Sequence, residues 1–217
     1  MSLALFDLDN TLLAADSDFL WGCFLVEKNL VDKATYDAAN QRFYDEYKQG
    51  TLDILEFLTF SLKPLTKYSR EELSQLHKEF MQKHIHSAMT EKGKAQIKRH
   101  RDKGDYIVII TATNRFVTEP IAKAFQVDDL IATDPEIIND KYTGKVAGTP
   151  CFQEGKITRL NQWLENTHHD LDNSTFYSDS HNDIPLLEIV TTPIAVDPDE
   201  QLTSIAQARN WEICSFR

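Results

Sequence analysis

The sequence is poor in the residues that build cross-linked, membrane-spanning or nucleic-acid-binding proteins. Cysteine occurs only as the scattered Cys23, Cys151 and Cys214, with no Cys-x-x-Cys. That pattern excludes a zinc ribbon and a disulfide framework and suits a reducing compartment. No apolar run approaches the roughly 18–20 residues of a membrane span. Asp7 interrupts the N-terminus before an apolar signal core forms and no basic segment precedes it, so a secretory signal is not expected and the expected location is cytoplasmic. Basic residues are outnumbered, 23 Lys and Arg against 34 Asp and Glu, for a formal charge of −11. Sequence-independent nucleic-acid binding needs the opposite balance. A small anionic substrate remains compatible, because a metal and a few local cations invert the field at a site. Internal repeats and low-complexity tracts are absent. What is there is a 217-residue chain, 41% hydrophobic and 26% charged, long enough for one domain plus an insertion.

The apolar run Leu3 to Leu8 reads as a strand, and it carries two aspartates, Asp7 and Asp9, at its C-terminal end. From Asp16 to about His86 the apolar spacing is 3–4 rather than 2, which predicts four helices: around Phe19–Leu30, Tyr36–Tyr47, Leu52–Leu62 and Leu73–Met81. Ser69 and Glu72 form a capping box for the fourth. Strands and helices then alternate. Strands are expected at Tyr106–Ile110, Leu130–Ala132, Ser174–Tyr177, Pro193–Val196 and Trp211–Cys214, with a hairpin or tight turn at Ile137–Gly144. This order predicts an α/β fold, a mostly parallel sheet with helices on both faces. The expected division is an α/β core of residues 1–14 and 88–217 with an all-helical insertion at 15–87.

Four polar features follow strand ends or open helices: Asp7-Leu8-Asp9-Asn10-Thr11, Thr111, Lys156, and Ser178-Asp179-Ser180-His181-Asn182-Asp183. In open parallel sheets ligands bind outside the carboxyl ends of the strands. Two carboxylates 4 Å apart repel by about 4 kcal/mol at an effective dielectric near 20, so a cluster of four calls for protonation or a cation. All-oxygen ligands point to Mg²⁺ over zinc. A hydroxyl and a lysine suit a phosphate, and carboxylates serve as nucleophiles through aspartyl phosphates. An EF-hand is a poor match, because Leu12 stands where such a loop needs glycine.

This ordered set resembles the haloacid dehalogenase superfamily of phosphohydrolases, and the helical insertion after the first motif resembles the cap of its phosphoserine-phosphatase-like subgroup. The resemblance implies Asp7 as nucleophile and Asp9 as general acid and then base. It implies Mg²⁺ held by Asp7, the Asp9 carbonyl and Asp179, with Asp183 orienting a metal-bound water or ligating directly, and phosphoryl oxygens bound by Thr111 and Lys156. The presence of Asp9 separates the chain from the carbon–halogen-cleaving branch, which has no alkoxide to protonate.

For the leaving group, the resemblance places Asp16 where phosphoserine phosphatases contact the substrate ammonium, with Asp18 close by. Capping the first helix of the insertion is the other reading of Asp16. The arginine that holds the substrate carboxylate in those enzymes has no counterpart in Phe60-Ser61-Leu62-Lys63-Pro64-Leu65. Lys63 would substitute only as a point charge, and a plain surface position is its other reading. Histidinol phosphate, an amino-alcohol ester without a carboxylate, is therefore favoured slightly over phosphoserine. Asn114 is read either as a substrate contact or as the cap of the following helix. Thr111 is read as a phosphate ligand, a helix cap or both. Of the aromatic stripe Phe19, Phe24, Phe43, Tyr44, Tyr47 and Phe57, one or two members are expected in the substrate cavity and the rest in the core of the insertion. The histidine pairs His84/His86 and His168/His169 are read as surface residues, and the basic run from Lys92 to Lys103 as a solvated helix face. A small phosphate ester is the expected partner, with no nucleic acid and no membrane; monomer and homodimer stay open. Two other functions remain at this stage: a phosphotransferase (mutase) on a sugar phosphate, and a non-catalytic phosphate- or metal-binding module.

Overall fold

Strand β1 (Leu3–Phe6) is buried along its whole length and lies at the centre of a seven-stranded sheet in a computed structural model that describes residues 2–217, the side chain of Lys48 excepted. The sheet order is β4-β3-β2-β1-β5-β6-β7. Its members are β2 (Tyr106–Asn114), β3 (Asp129–Ile138), β4 (Lys141–Ala147), β5 (Thr175–Ser178), β6 (Thr192–Val196) and β7 (Glu212–Cys214). All pairs are parallel except β3 with β4. A parallel sheet is covered on both faces, so its strands read as continuous apolar runs. Alternate residues feed two separate cores: Ala4, Phe6, Ile107 and Ile109 enter one, Leu5, Val108 and Ile110 the other. β1 pairs with β2 on one side and β5 on the other, so the chain order reverses there and a crevice opens above the three strand ends.

Helices α1 (Ser17–Glu27), α2 (Lys33–Gln49), α3 (Ile54–Leu62), α4 (Arg70–Phe80) and α5 (His86–Ala88) run consecutively before the α/β alternation resumes. A short 3₁₀ turn, Lys63–Lys67, follows α3. A wider helical turn, Met81–Ile85, links α4 to α5. The helical segment departs and returns through adjacent strands: Leu13 bridges Met89, Ala14 N–H donates to Ala88 O at 2.7 Å, and Thr90 N–H donates to Leu12 O at 3.1 Å. The expected capping box is formed, with Ser69 and Glu72 each bonding the other's backbone.

The remaining helices are α6 (Glu91–Lys103), α7 (Arg115–Phe125), α8 (Glu154–Thr167), α9 (Ile184–Leu187) and α10 (Glu200–Arg209). The strand expected to stop at Ile110 runs on to Asn114, with a register shift between these residues. The hairpin expected at Ile137–Gly144 is present. Asn139 (φ 51°) and Asp140 (φ 60°) are both left-handed, the type I′ geometry that matches strand twist, and β3 extends further into it than expected. Among the described residues no helix is long and apolar enough to cross a membrane.

Candidate active site

The strand-end features meet in the crevice. Asp7 continues the ladder beyond β1, donating its N–H to Tyr177 O at 2.9 Å, and is 7% exposed. The chain then turns within Leu8–Leu12. Asp9 is extended, Asn10 is left-handed at φ 56°, and Leu13 N–H closes the loop on Leu8 O at 2.9 Å. Asn tolerates that conformation better than most residues. Thr11 Oγ1 donates to Asp179 Oδ1 at 3.0 Å, tying the loop to the end of β5.

Lys156 is buried in the first turn of α8. Its Nζ donates to Asp7 Oδ1 at 2.8 Å and to the Asp183 carboxylate at 2.7 Å. Ser178 Oγ donates to Asp183 Oδ2 at 2.6 Å. The approach to α8 is tight: Gln153 is forced to φ 48°, and a Cβ on Gly155 would fall 2.0 Å from Pro150 O. Only glycine fits there, and the close approach sets where the next residue, Lys156, emerges.

Asp9 accepts Ser17 N–H at Oδ1 (2.6 Å) and Thr113 Oγ1–H at Oδ2 (2.8 Å). Thr113 escaped the sequence reading; the period of two along β2, which pairs it with Thr111, was the signal available. Thr111 is buried within β2 and faces the cavity, where its Oγ1 accepts Thr113 N–H at 3.2 Å. The helix that follows is capped by Asn114 instead, whose Oδ1 accepts Val117 N–H. Asp16 both caps α1, accepting Asp18 and Phe19 N–H, and lines the cavity.

Two expected substrate contacts lie elsewhere. Lys63 is exposed on the 3₁₀ turn and does not line the cavity, because Leu62 and Pro64 take the buried positions on either side of it. Asn114 stands behind the cavity wall; its Nδ2 donates to Asp18 Oδ1 at 3.1 Å. The aromatic expectation was too small: Phe19, Phe43, Tyr44, Tyr47 and Phe57 all line the cavity, and of the stripe only Phe24 does not. The cause is that α1, α2 and α3 turn one face to the crevice rather than only to each other.

The cavity holds about 120 Å³, and Lys156 is the one cation lining it among the described residues. Its carboxyl groups outnumber that cation, which pairs with Asp7 and Asp183. Burial pushes Asp7 up to about 7; Lys156 opposes this and Asp183 adds to it. Burial and the charge of Asp16 push Asp9 up to about 7 against the hydrogen bonds from Ser17 and Thr113. Asp179 is raised by burial, then by Asp7 and Asp183. Lys156 goes the other way from ordinary buried lysines, since Asp183 and Asp7 outweigh its desolvation.

A parallel α/β sheet that gathers carboxylates, a lysine and hydroxyls at its switch point is equipped to bind and transfer a phosphoryl group. The family model for haloacid dehalogenase-like hydrolases matches residues 4–188, and the chain belongs to that family. It is similar, at 43% identity over 100% of this chain and 99% of the relative, to a histidinol-phosphatase of Neisseria meningitidis serogroup C (strain 8013). A phosphoserine phosphatase of Mycobacterium tuberculosis (strain ATCC 25618 / H37Rv) is 29% identical over 99% of this chain and 70% of its own length. Among solved structures, a Bordetella pertussis Tohama I protein of unknown function superposes with a TM-score of 0.93 at 44% identity, covering 100% and 99% of the two chains. A substrate-bound phosphoserine phosphatase superposes with a TM-score of 0.69 at 19% identity, covering 100% and 93%, a likeness of fold. The chain is an enzyme, a phosphatase of this family.

Proposed function

We propose that the enzyme hydrolyses a small amine-bearing phosphate monoester through a phosphoaspartate on Asp7, with Mg²⁺, and that histidinol phosphate is its substrate in preference to phosphoserine. The observation that carries the reading is the buried Asp7 carboxylate at the end of the central strand, held by Lys156 at 2.8 Å and facing the cavity. In the first step an Asp7 oxygen attacks phosphorus, the ester P–O bond breaks, and the departing alkoxide takes a proton from Asp9. In the second, water attacks phosphorus, gives its proton to Asp9, and the Asp7–phosphorus bond breaks. A carboxyl raised to about 7 serves both directions near neutral pH. Lys156 and the Thr111 hydroxyl would position the phosphoryl oxygens, and positioning with charge compensation is most of the work in phosphoryl transfer.

The donor set fits a hard divalent cation. Asp7, Asp179 and Asp183 supply carboxylates and Asp9 its main-chain carbonyl, with no thiolate or imidazole among them. One lysine faces these carboxyl groups; burial first, and the charges of neighbouring aspartates after it, raise Asp7 and Asp179. Among the described residues no group of three or more acidic, histidine or cysteine side chains is arranged to hold a metal ion by itself; waters, several of which Mg²⁺ ordinarily keeps, would complete the set. When bound, Mg²⁺ would neutralise charge on the phosphoryl oxygens and align the phosphorus with Asp7.

The leaving-group side of the cavity offers Asp16 and Asp18 and, among the described residues, no cation beyond Lys156. An ammonium is matched there and a carboxylate is not, in line with the name of the Neisseria relative. The test is phosphate release with Mg²⁺ from histidinol phosphate, phosphoserine and a neutral sugar phosphate in parallel. The reading predicts a marked preference for histidinol phosphate. Preference for phosphoserine would overturn the substrate assignment, and no release even from an aryl phosphate would overturn the activity.

A further inference from the structure

The helical wall of the cavity holds a polar cluster that phosphoryl transfer does not use. Asp18, in the first turn of α1, is 9% exposed, and Asn114 is the hydrogen-bond donor that reaches its side chain. Tyr36 on α2 is 7% exposed, and its buried hydroxyl has no hydrogen-bond partner. It lies within the field of Asp18, whose charge adds to burial in raising the Tyr36 hydroxyl above its ordinary value. Ser61 on α3 also has a buried hydroxyl without a hydrogen bond of good geometry; burial, then the charges of Asp16 and Asp9, push Asp18 up to about 8, against the Ser61 hydroxyl and the Asn114 amide close to it. All three side chains line the cavity, and the Phe60 ring packs on Tyr36 at 4.6 Å between centroids.

Buried hydroxyls beside a carboxylate ordinarily bond to it or to backbone, because unpaired polar groups are destabilising. The Asp18 carboxyl group keeps free acceptor positions whether or not it is protonated, and Asn114 fills one. Asp16 is differently placed, with one oxygen committed to two backbone N–H groups of α1. Carboxylates thus stand at two positions along the leaving-group side.

We propose that Asp18, Tyr36 Oη and Ser61 Oγ form a second nitrogen-binding subsite, separate from Asp16, that takes a planar N–H-bearing base at the far end of the leaving group, an imidazole or similar azole. Asp18 accepts the ring N–H. The two hydroxyls, each able to donate or accept, serve the other ring nitrogen, and Phe60 supplies a flat apolar flank. A phosphate ester with an amine but no ring leaves this subsite empty. The inference rests on the phosphatase reading above.

The experiment compares kcat/KM for histidinol phosphate, O-phosphoethanolamine (amine, no ring) and p-nitrophenyl phosphate (neither) in the Mg²⁺-loaded full chain and in Asp18→Asn, Tyr36→Phe and Asp16→Asn. Expected is a fall of roughly 10- to 100-fold in the ratio for histidinol phosphate over phosphoethanolamine in Asp18→Asn, carried by KM, and a smaller fall in Tyr36→Phe, with Asp16→Asn lowering both amine substrates together. Equal losses on all three substrates in Asp18→Asn and Tyr36→Phe would overturn the proposal, showing that the cluster acts only on the fold. An unchanged ratio would overturn it as well. If the wild-type chain turns over none of the three, the phosphatase reading has failed separately. Calorimetric binding of L-histidinol then decides, with binding that Asp18→Asn abolishes supporting the subsite and no binding to the wild type overturning it.

Discussion

The sheet side and the helical side of the cavity satisfy their polar groups in opposite ways. On the sheet side Asp7, Asp183, Ser178 and Lys156 are hydrogen-bonded to one another, and Asp9 is held by Ser17 and Thr113. On the helical side the buried hydroxyls of Tyr36 and Ser61 lack hydrogen bonds of good geometry, although Ser61 lies close enough to Asp18 to oppose the rise that burial causes there. The first arrangement is built before substrate arrives, which suits a reaction that depends on fixed charge and geometry. On the proposed reading the second is completed by the leaving group. One fold, on that reading, separates phosphate chemistry at the strand ends from leaving-group recognition on helices that leave and rejoin the core at the Leu13–Met89 bridge.

The comparison breaks most severely at Lys156. Lys156→Met leaves Asp7 and Asp183 buried without their cation, which costs about 3–5 kcal/mol of stability and removes turnover. Denaturant titration of the variant checks the first and phosphate release the second; a fully stable, active variant would mean that the sheet side is not organised around this lysine. Next comes Gly155→Ala. Its methyl group would press on Pro150 O, shift the start of α8 and displace Lys156, lowering kcat by about 100-fold for every substrate. A change confined to KM for one substrate would contradict that.

A smaller effect is expected where the two sides touch. Tyr47 Oη donates to Ser180 Oγ at 2.9 Å, a direct link from α2 to the loop after β5. Tyr47→Phe removes it at a cost of about 1 kcal/mol, a few-fold in KM for all substrates alike. The smallest concerns anchoring of the helices: His77 on α4 is buried, 2.9 Å from Val117 O, and burial lowers its pKa below 6.5. The folded state therefore favours neutral His77. Its contribution is whole above pH 6.5 and is lost as pH falls from there toward the lowered folded value. Stability measured against pH should decline more steeply across that window than in His77→Gln; parallel curves would contradict the assignment.

The two sides were also unequally legible in the sequence. Asp7 and the Ser178–Asp183 stretch follow strand ends, so an apolar run followed by a polar residue was enough to bring them to one crevice; Thr111 follows such a run but stands inside the longer β2, and Lys156 was placed by its order after the other motifs. Thr113 was hidden because the run was read as ending at Ile110, whereas a register shift carries β2 on to Asn114. On the helical side the period of 3–4 gave the helices but not their rotation. Lys63 was placed at the substrate by its neighbours in sequence, yet packing of Leu62 and Pro64 turns it outward. Tyr36 and Ser61 carry no pattern that separates them from other helix residues. Which hydroxyl ends up buried without a partner is decided by tertiary packing alone.

The measurement that tests the central claim most directly is rapid acid quench of the Mg²⁺-loaded enzyme with histidinol phosphate, followed by peptide mapping. The account predicts a hydroxylamine-labile phosphoryl group on the peptide carrying Asp7, absent in Asp7→Asn. Phosphate release without any phosphorylated peptide, or turnover that survives Asp7→Asn, would contradict it.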